Sequence, residues 1–190
     1  PTQKSLLVDL IQRTTAMPVS QVHDGVVVAP NHVYIIPPNR DMLLRQGRLH
    51  LREPRERRGL RLPIDTFFRS LAEDQGEHAL CIVMSGTGSD GTLGLEAVKG
   101  EGGMAIAQDP ETAQYDGMPN SAIATDIVDY VLPPAEMPEA LIQYASHAFG
   151  PDAPSAAPLL TREQDPRHNI FSLLRRQTGH DFSGYKPSTI

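Results

Sequence analysis

The sequence predicts an α/β fold, a doubly wound and mostly parallel sheet with an antiparallel hairpin at one edge. Three observations carry that reading. From residue 63 onward, apolar strand-like runs at 79–84, 104–107 and 127–132 alternate with helical stretches, the repeat that builds a parallel sheet. Before that point, residues 26–51 are broken into short apolar runs by Pro and Gly, as in an antiparallel patch. The run 79–84 ends in Ser-Gly-Thr-Gly-Ser-Asp-Gly-Thr-Leu-Gly, residues 85–94, a glycine-rich loop with one acid placed where open sheets put their sites.

The elements follow in order. Leu6, Leu7, Leu10 and Ile11 share one face of an opening helix. A doubly wound domain normally begins with a strand, so this start predicts that the first strands of such a domain lie outside the chain. Val26-Val27-Val28 is a β-branched run stopped by Pro30-Asn31, and Val33-Tyr34-Ile35-Ile36 is stopped by Pro37-Pro38. Met42-Leu43-Leu44 and Leu49-His50-Leu51 flank Gln46-Gly47 and read as a hairpin. Pro63 suits the first turn of a helix through Phe67, Phe68 and Leu71. After the strand at 79–84, a helix through Leu93, Leu95, Ala97 and Val98 ends at Gly100 and Gly102-Gly103. Met104-Ala105-Ile106-Ala107 is a buried strand cut off by Asp109-Pro110, Pro119 begins a short helix, and Pro138 begins the last one.

This domain spans residues 1–149. Residues 150–166, rich in Pro and Ala, read as a linker, and 167–190 opens a new helical segment too short to bury its own core. With 39% hydrophobic and 21% charged residues the chain is globular in composition. It holds neither an apolar run long enough to span a bilayer nor a recognisable signal segment, which predicts a cytoplasmic protein without membrane insertion. The lone Cys81 sits inside an apolar strand and reads as a small core hydrophobe; it excludes a disulfide framework and a thiolate zinc cluster.

The net charge of −6 is uneven. Residues 1–62 hold ten Lys/Arg against five Asp/Glu, and residues 63–190 hold seven against eighteen. Arg52, Arg55, Arg57, Arg58 and Arg61 form the basic peak, which reads as a solvated connection or as a dock for an acidic partner. It is short and lacks interleaved aromatics, which sets nucleic acid aside.

Asp90 is the central candidate. A carboxylate here suits three roles: capping a helix, holding the Nδ1–H of an imidazole, or ligating a metal. No cluster of acids or histidines accompanies it, so no metal is expected. Gly86, Gly88 and Gly91 let backbone amides approach a developing oxyanion or a phosphate. Residues 86–91 match Gly-x-Gly-x-x-Gly literally, which keeps a nucleotide-binding alternative open, but the strand is mid-chain and Asp109 is a poor ribose partner. Ser85 and Ser89 lack a nucleophile context and none of the seven histidines is placed as a base. Gly117, Met118 and Pro119 shape a second loop, as structural turn or as a wall of the cleft.

Together these segments resemble a known family. Ile-Val-Met-Ser-Gly-Thr-Gly-Ser-Asp-Gly-Thr-Leu-Gly at 82–94 resembles the Leu-Thr-Gly-Met-Gly-x-Asp-Gly signature of the chemotaxis protein-glutamate methylesterase catalytic domain. Residues 103–110, Gly117-Met118-Pro119 and Val131-Leu132-Pro133 add to the likeness, which covers about residues 1–149. The resemblance implies that Asp90 completes a Ser-His-Asp triad and that the amide of Thr87, where the family has Met, serves the oxyanion hole with Gly86 and Gly88 around it. It also implies that the family's Gly-x-Ser-x-Gly-Gly nucleophile segment and its histidine segment are missing along with the first two strands. Residues 1–5 look like those just past that histidine. The tail, Ile170-Phe171-Ser172-Leu173-Leu174 with Thr178-Gly179-His180-Asp181-Phe182-Ser183, resembles the start of the receptor methyltransferase's helical domain, as in methylesterase–methyltransferase hybrids.

What the resemblance implies is hydrolysis of glutamyl methyl esters on the cytoplasmic helices of methylated chemotaxis receptors, with no cofactor. The isolated chain is expected to be inactive, because its serine and histidine segments are missing. A non-catalytic interaction module, self-associating through an exposed sheet edge, is the rival.

Overall fold

A computed structural model of the chain describes residues 6–54 and 61–149. The expected linker, the helical segment after it, and Arg55, Arg57 and Arg58 of the basic peak lie outside the described residues. The chain divides into two compact units, Pro1–Val131 and Leu132–Ile190. The first holds nearly all of the described structure; the second contributes a helix, Met137–Phe149, with Glu139 in its first turn.

The first unit is layered α/β, as the sequence predicts. Strands β6 (Leu80–Val83) and β7 (Met104–Gln108) pair in parallel, Leu80 opposite Met104, and β8 (Tyr130–Leu132) completes the order β6-β7-β8. All five residues of β7 are buried, which is why its sequence is continuously apolar up to Gln108. Helices α2 (Pro63–Gln75) and α3 (Thr92–Gly100) pack against each other, and α2 places Phe68 and Ala72 in one core with Cys81, Val83, Leu95 and Val98. Phe67 and Leu71, on the adjacent face of α2, pack on a second core of Val22, Met42, Leu44 and Leu49. Helix α2 is thus shared by two cores.

The antiparallel element is a sheet of its own, ordered β2 (Val26–Val27), β5 (Arg48–Arg52), β4 (Asp41–Arg45), beside α2. The expected hairpin is its core: Leu44 faces Leu49, and Gln46 and Gly47 both take positive φ, +50° and +68°, as a two-residue turn of this hand requires. Asp74 of α2 accepts the amides of both turn residues, and Ser70 accepts the amide of Leu44 on the outer strand at 2.9 Å. Two details differ from the sequence reading. The run beginning at Val33 does not join the antiparallel patch. It forms β3 (Val33–Ile35), which pairs in parallel with β1 (Val19–Gln21), a strand whose Val-Ser-Gln sequence gave no apolar signal. Helix α4 (Gly117–Ile123) begins two residues before Pro119, because the Asn120 amide donates back to the carbonyl of Asp116.

One half-buried ion pair braces α3 against β7. Lys99 Nζ meets both oxygens of Asp129 at 2.7 and 2.8 Å and the carbonyl of Gly103 at 3.1 Å, while Asp129 also accepts the amide of Ala105 at 2.8 Å. Nearly every lone pair is used, so the pair breaks even against desolvation more readily than an isolated one. Cys81 is 1% exposed, and burial, joined by the charge of Asp129, pushes its thiol up to about 12. It is the core hydrophobe the sequence suggested.

Candidate functional site

The loop from Ser85 to Gly91 leaves the carboxyl end of β6 and is gripped from its far side by the segment that opens α4. Gly86 donates to the carbonyl of Tyr115 and accepts from the amide of Met118, each at 2.9 Å. Ser121 Oγ donates to the carbonyl of Gly88 at 3.3 Å. Gly117 must lack a side chain here, since a Cβ would lie 3.0 Å from the amide nitrogen of Gly88. A Cβ on Gly86 would collide with Met118 Sδ. Close approach of two backbones therefore requires glycine at 117, whereas at Gly86 the space is taken by the Met118 side chain. The expected second wall, Gly117, Met118 and Pro119, is brought directly against Gly86 and Gly88. Within it Pro119 is fully buried and Met118 also touches the main core.

Two polar side chains that sequence reading gave no role fix the start of this loop. Buried Gln108, at the end of β7, accepts the amide of Ser85 at 2.8 Å and donates to the carbonyl and hydroxyl of Thr112. Ser85 Oγ accepts the amide of Tyr115 at 3.0 Å, a bracing role rather than a nucleophile's. A polar residue closing an otherwise apolar strand was the one available signal for Gln108.

Asp90 is a helix cap, but not of the helix that follows it. Its Oδ2 accepts the amide of Ile64 at 3.1 Å and its Oδ1 that of Asp65 at 3.0 Å, the second and third positions of α2. In return Asp65 Oδ1 accepts the amide of Gly94 at 2.7 Å, the third position of α3. The residues in the ordinary cap positions, Leu62 and Gly91, make no side-chain cap bond. Helix α2 is capped by an acid from the loop that leads into α3, and α3 by an acid of α2, which satisfies three amides at two positive helix ends. The exchange demands closeness: a Cβ on Gly94 would stand 2.6 Å from Phe68 Cβ and 2.9 Å from Asp65 Cα.

Burial pushes the Asp90 carboxyl up from its ordinary 3.8. The amides of Asp65 and Ile64 pull it down, the charge of Asp65 pushes it up again, and the Gly91 amide pulls down. The net direction is upward. Of the four acceptor sites on the carboxylate two serve α2 and the Gly91 amide draws on a third, so Asp90 retains capacity for one further donor such as an imidazole N–H. No histidine among the described residues bonds to it. Nor do any three His, Cys, Asp or Glu among them gather as metal ligands would.

The start of α3 does not suit a phosphate. The amides of Thr92, Gly94 and Leu95 already donate to Ser89, Asp65 and Gly91, and the carboxylate of Asp65 lies where an anion would have to enter. By contrast, no described residue accepts from the amides of Thr87 or Gly88, which sit on the exposed side of the loop. A cleft of about 380 Å³ runs along α2, β4 and β5, lined by Arg45, Arg52, Arg61, Arg69, Asp41 and Asp65 among others. It reaches Asp65 but not Asp90. Asp41 pairs with Arg52 at 3.4 Å across it.

A family model described as CheB methylesterase matches residues 1–141. A 104.1 kDa protein of Rhodobacter capsulatus is 52% identical over 127 residues, 66% of this chain but 13% of its own length. Protein-glutamate methylesterase/protein-glutamine glutaminase 1 of Myxococcus xanthus is 38% identical over 146 residues, covering 72% of this chain and 41% of its own. The crystal structure of the Thermotoga maritima CheB methylesterase catalytic domain superposes with a TM-score of 0.65 at 32% identity, covering 75% of this chain and 79% of that one. The chain thus spans about two-fifths or less of the curated relatives it matches.

Proposed function

The chain belongs to the CheB methylesterase family, and on that premise we propose that it carries the acid and the oxyanion loop of a protein-glutamate methylesterase site. In this reading Asp90 orients and stabilises the imidazole of a Ser-His-Asp triad. The histidine takes the serine proton, the serine oxygen attacks the glutamyl methyl ester, and methanol leaves. Water then releases the carboxylate. The amide of Thr87, with Gly86 and Gly88 shaping the loop, faces the oxyanion, and Gly117, Met118 and Pro119 form the wall behind it. The observation that carries the proposal is the seat of Asp90: a carboxylate at the end of β6, held by two backbone amides of α2 and left with an unused acceptor site.

The substrates of this reading are methylated chemotaxis receptors in the cytoplasm. No helix among the described residues is long and apolar enough to cross a membrane. The domain occupies residues 1–149, a linker 150–166, and the start of a methyltransferase-like domain 167–190. The isolated chain turns over no ester, since it contains neither a nucleophile nor a base segment. Two assays on methylated receptor peptides test this. The chain alone should show no turnover, and a chimera supplying a family member's serine and histidine segments upstream should gain it. In that chimera Asp90→Ala should lower kcat by about 10⁴-fold, the cost of mispositioning a triad histidine. Turnover by the chain alone that Asp90→Ala abolishes would refute the inactive reading; a chimera indifferent to Asp90→Ala would refute the triad role. Leu6, Leu7 and Leu10 of helix α1 (Leu6–Gln12) are exposed, Leu6 at 75%, which favours a second reading in which the chain self-associates. Light scattering that finds only monomer removes it.

A further inference from the structure

We propose that Asp65 is a positioning residue for Asp90, fixing the seat of that carboxylate and setting the charge beside it through the exchanged caps of α2 and α3. The inference rests on the reading of Asp90 as the triad acid. Three facts of geometry carry it. Asp65 is 4% exposed, far more buried than an acid in a first helical turn needs to be. Its carboxylate turns away from its own helix to hold Gly94 of α3, while its backbone amide holds Asp90. Its one residue therefore grips both the acid and the helix that the acid's loop enters. Gly94 permits the approach, because any Cβ there would strike Asp65 and Phe68.

The consequence is electrical as well as mechanical. From α2, the negative charge of Asp65 acts on Asp90 and pushes its carboxyl upward. A triad acid with a negative neighbour holds an imidazolium more firmly, since the cation then faces two carboxylates rather than one. Asp65 need touch neither substrate nor histidine to have this effect.

The test uses the whole chain and reads titration rather than turnover, so its outcome is independent of whether the esterase reading holds. The side-chain carboxyl ¹³C resonance of Asp90 is identified by its loss in Asp90→Asn and followed against pH. Asp65→Asn keeps an oxygen for the Gly94 amide but removes the charge. We expect unchanged exchange protection at Gly94 and a midpoint for Asp90 moved downward. An unmoved midpoint would overturn the proposal, because a purely structural cap predicts that result. Asp65→Ala removes the acceptor too, and should speed amide exchange at both Gly94 and Ile64 by tenfold or more as Asp90 loses its seat. Acceleration confined to Gly94 would equally overturn it.

Discussion

Asp90 and Asp74 are both acids that accept two backbone amides from a distant element, yet their ionisation is linked to stability in opposite senses. For Asp90 burial dominates and the folded carboxyl titrates above its ordinary 3.8. Its protonated form is favoured by folding, so that contribution is fully present below pH 3.8 and is lost as pH rises through the folded value. For half-buried Asp74, burial pushes up, but the bonds from Gln75, Gly47 and Gln46 outweigh it and the folded value is lowered. Its contribution is present above 3.8 and is lost as pH falls through the folded value. Urea unfolding of wild type, Asp90→Ala and Asp74→Ala between pH 2.5 and 7 should show this. The Asp90→Ala gap is expected to narrow toward neutrality and the Asp74→Ala gap to widen. At neutral pH Asp90→Ala still loses an acceptor for two amides, costing about 1–3 kcal/mol. Parallel gaps across the range would contradict the assignment.

The approach of α2 to α3 is set by one missing side chain. Gly94→Ala would place a methyl against Phe68 Cβ, Asp65 Cα and the Asp65 carbonyl, at 2.6, 2.9 and 3.1 Å, and two of those atoms are backbone. Helix propensity favours Ala over Gly by about 1 kcal/mol, but overpacking of this kind costs about 1–3 kcal/mol and the helices must part. We expect net destabilisation in thermal melts, with faster exchange at Ile64 and Asp65 because Asp90 loses its alignment. A stabilised Gly94→Ala would mean that the two helices part at little cost, which contradicts this packing. This pairing was not legible beforehand. Pro63 announced the start of α2 and the apolar period announced both helices, but nothing local marks that Asp65 serves another helix. The hairpin is the opposite case. Gln46-Gly47 and its flanking Leu pairs specify turn and register locally, so sequence and structure agree. Strand β1 escaped because Val19-Ser20-Gln21 is half-buried and polar, and its strand character comes from pairing with Val33–Ile35.

Across the molecule, the strand-loop-helix arrangement that positions the site was readable because burial of β6 and β7 forces uninterrupted apolar sequence. The identity of the loop was readable because glycine is favoured where the chain takes positive φ, at Gly88 and Gly91, and where the backbone of Gly117 meets that of Gly88. Partners supplied by folding, Gln108 to Ser85 and Asp65 to Gly94, were not, since a side-chain bond spanning more than twenty residues leaves no periodic trace. The core that holds these parts has a built-in reporter. Cys81 is 1% exposed on the central face of β6, and its thiol is pushed up to about 12, so the native chain presents almost no reactive thiolate at pH 8. Labelling by a chromogenic disulfide should then be slower than in the denatured chain by about 10³-fold or more, the suppression expected if reaction waits on cooperative unfolding of a domain stable by several kcal/mol. Its rate should rise with urea along the same transition that circular dichroism reports. Rapid labelling in water with the dichroism intact would show β6 parting from its neighbours by local opening, and with it the floor beneath Asp90.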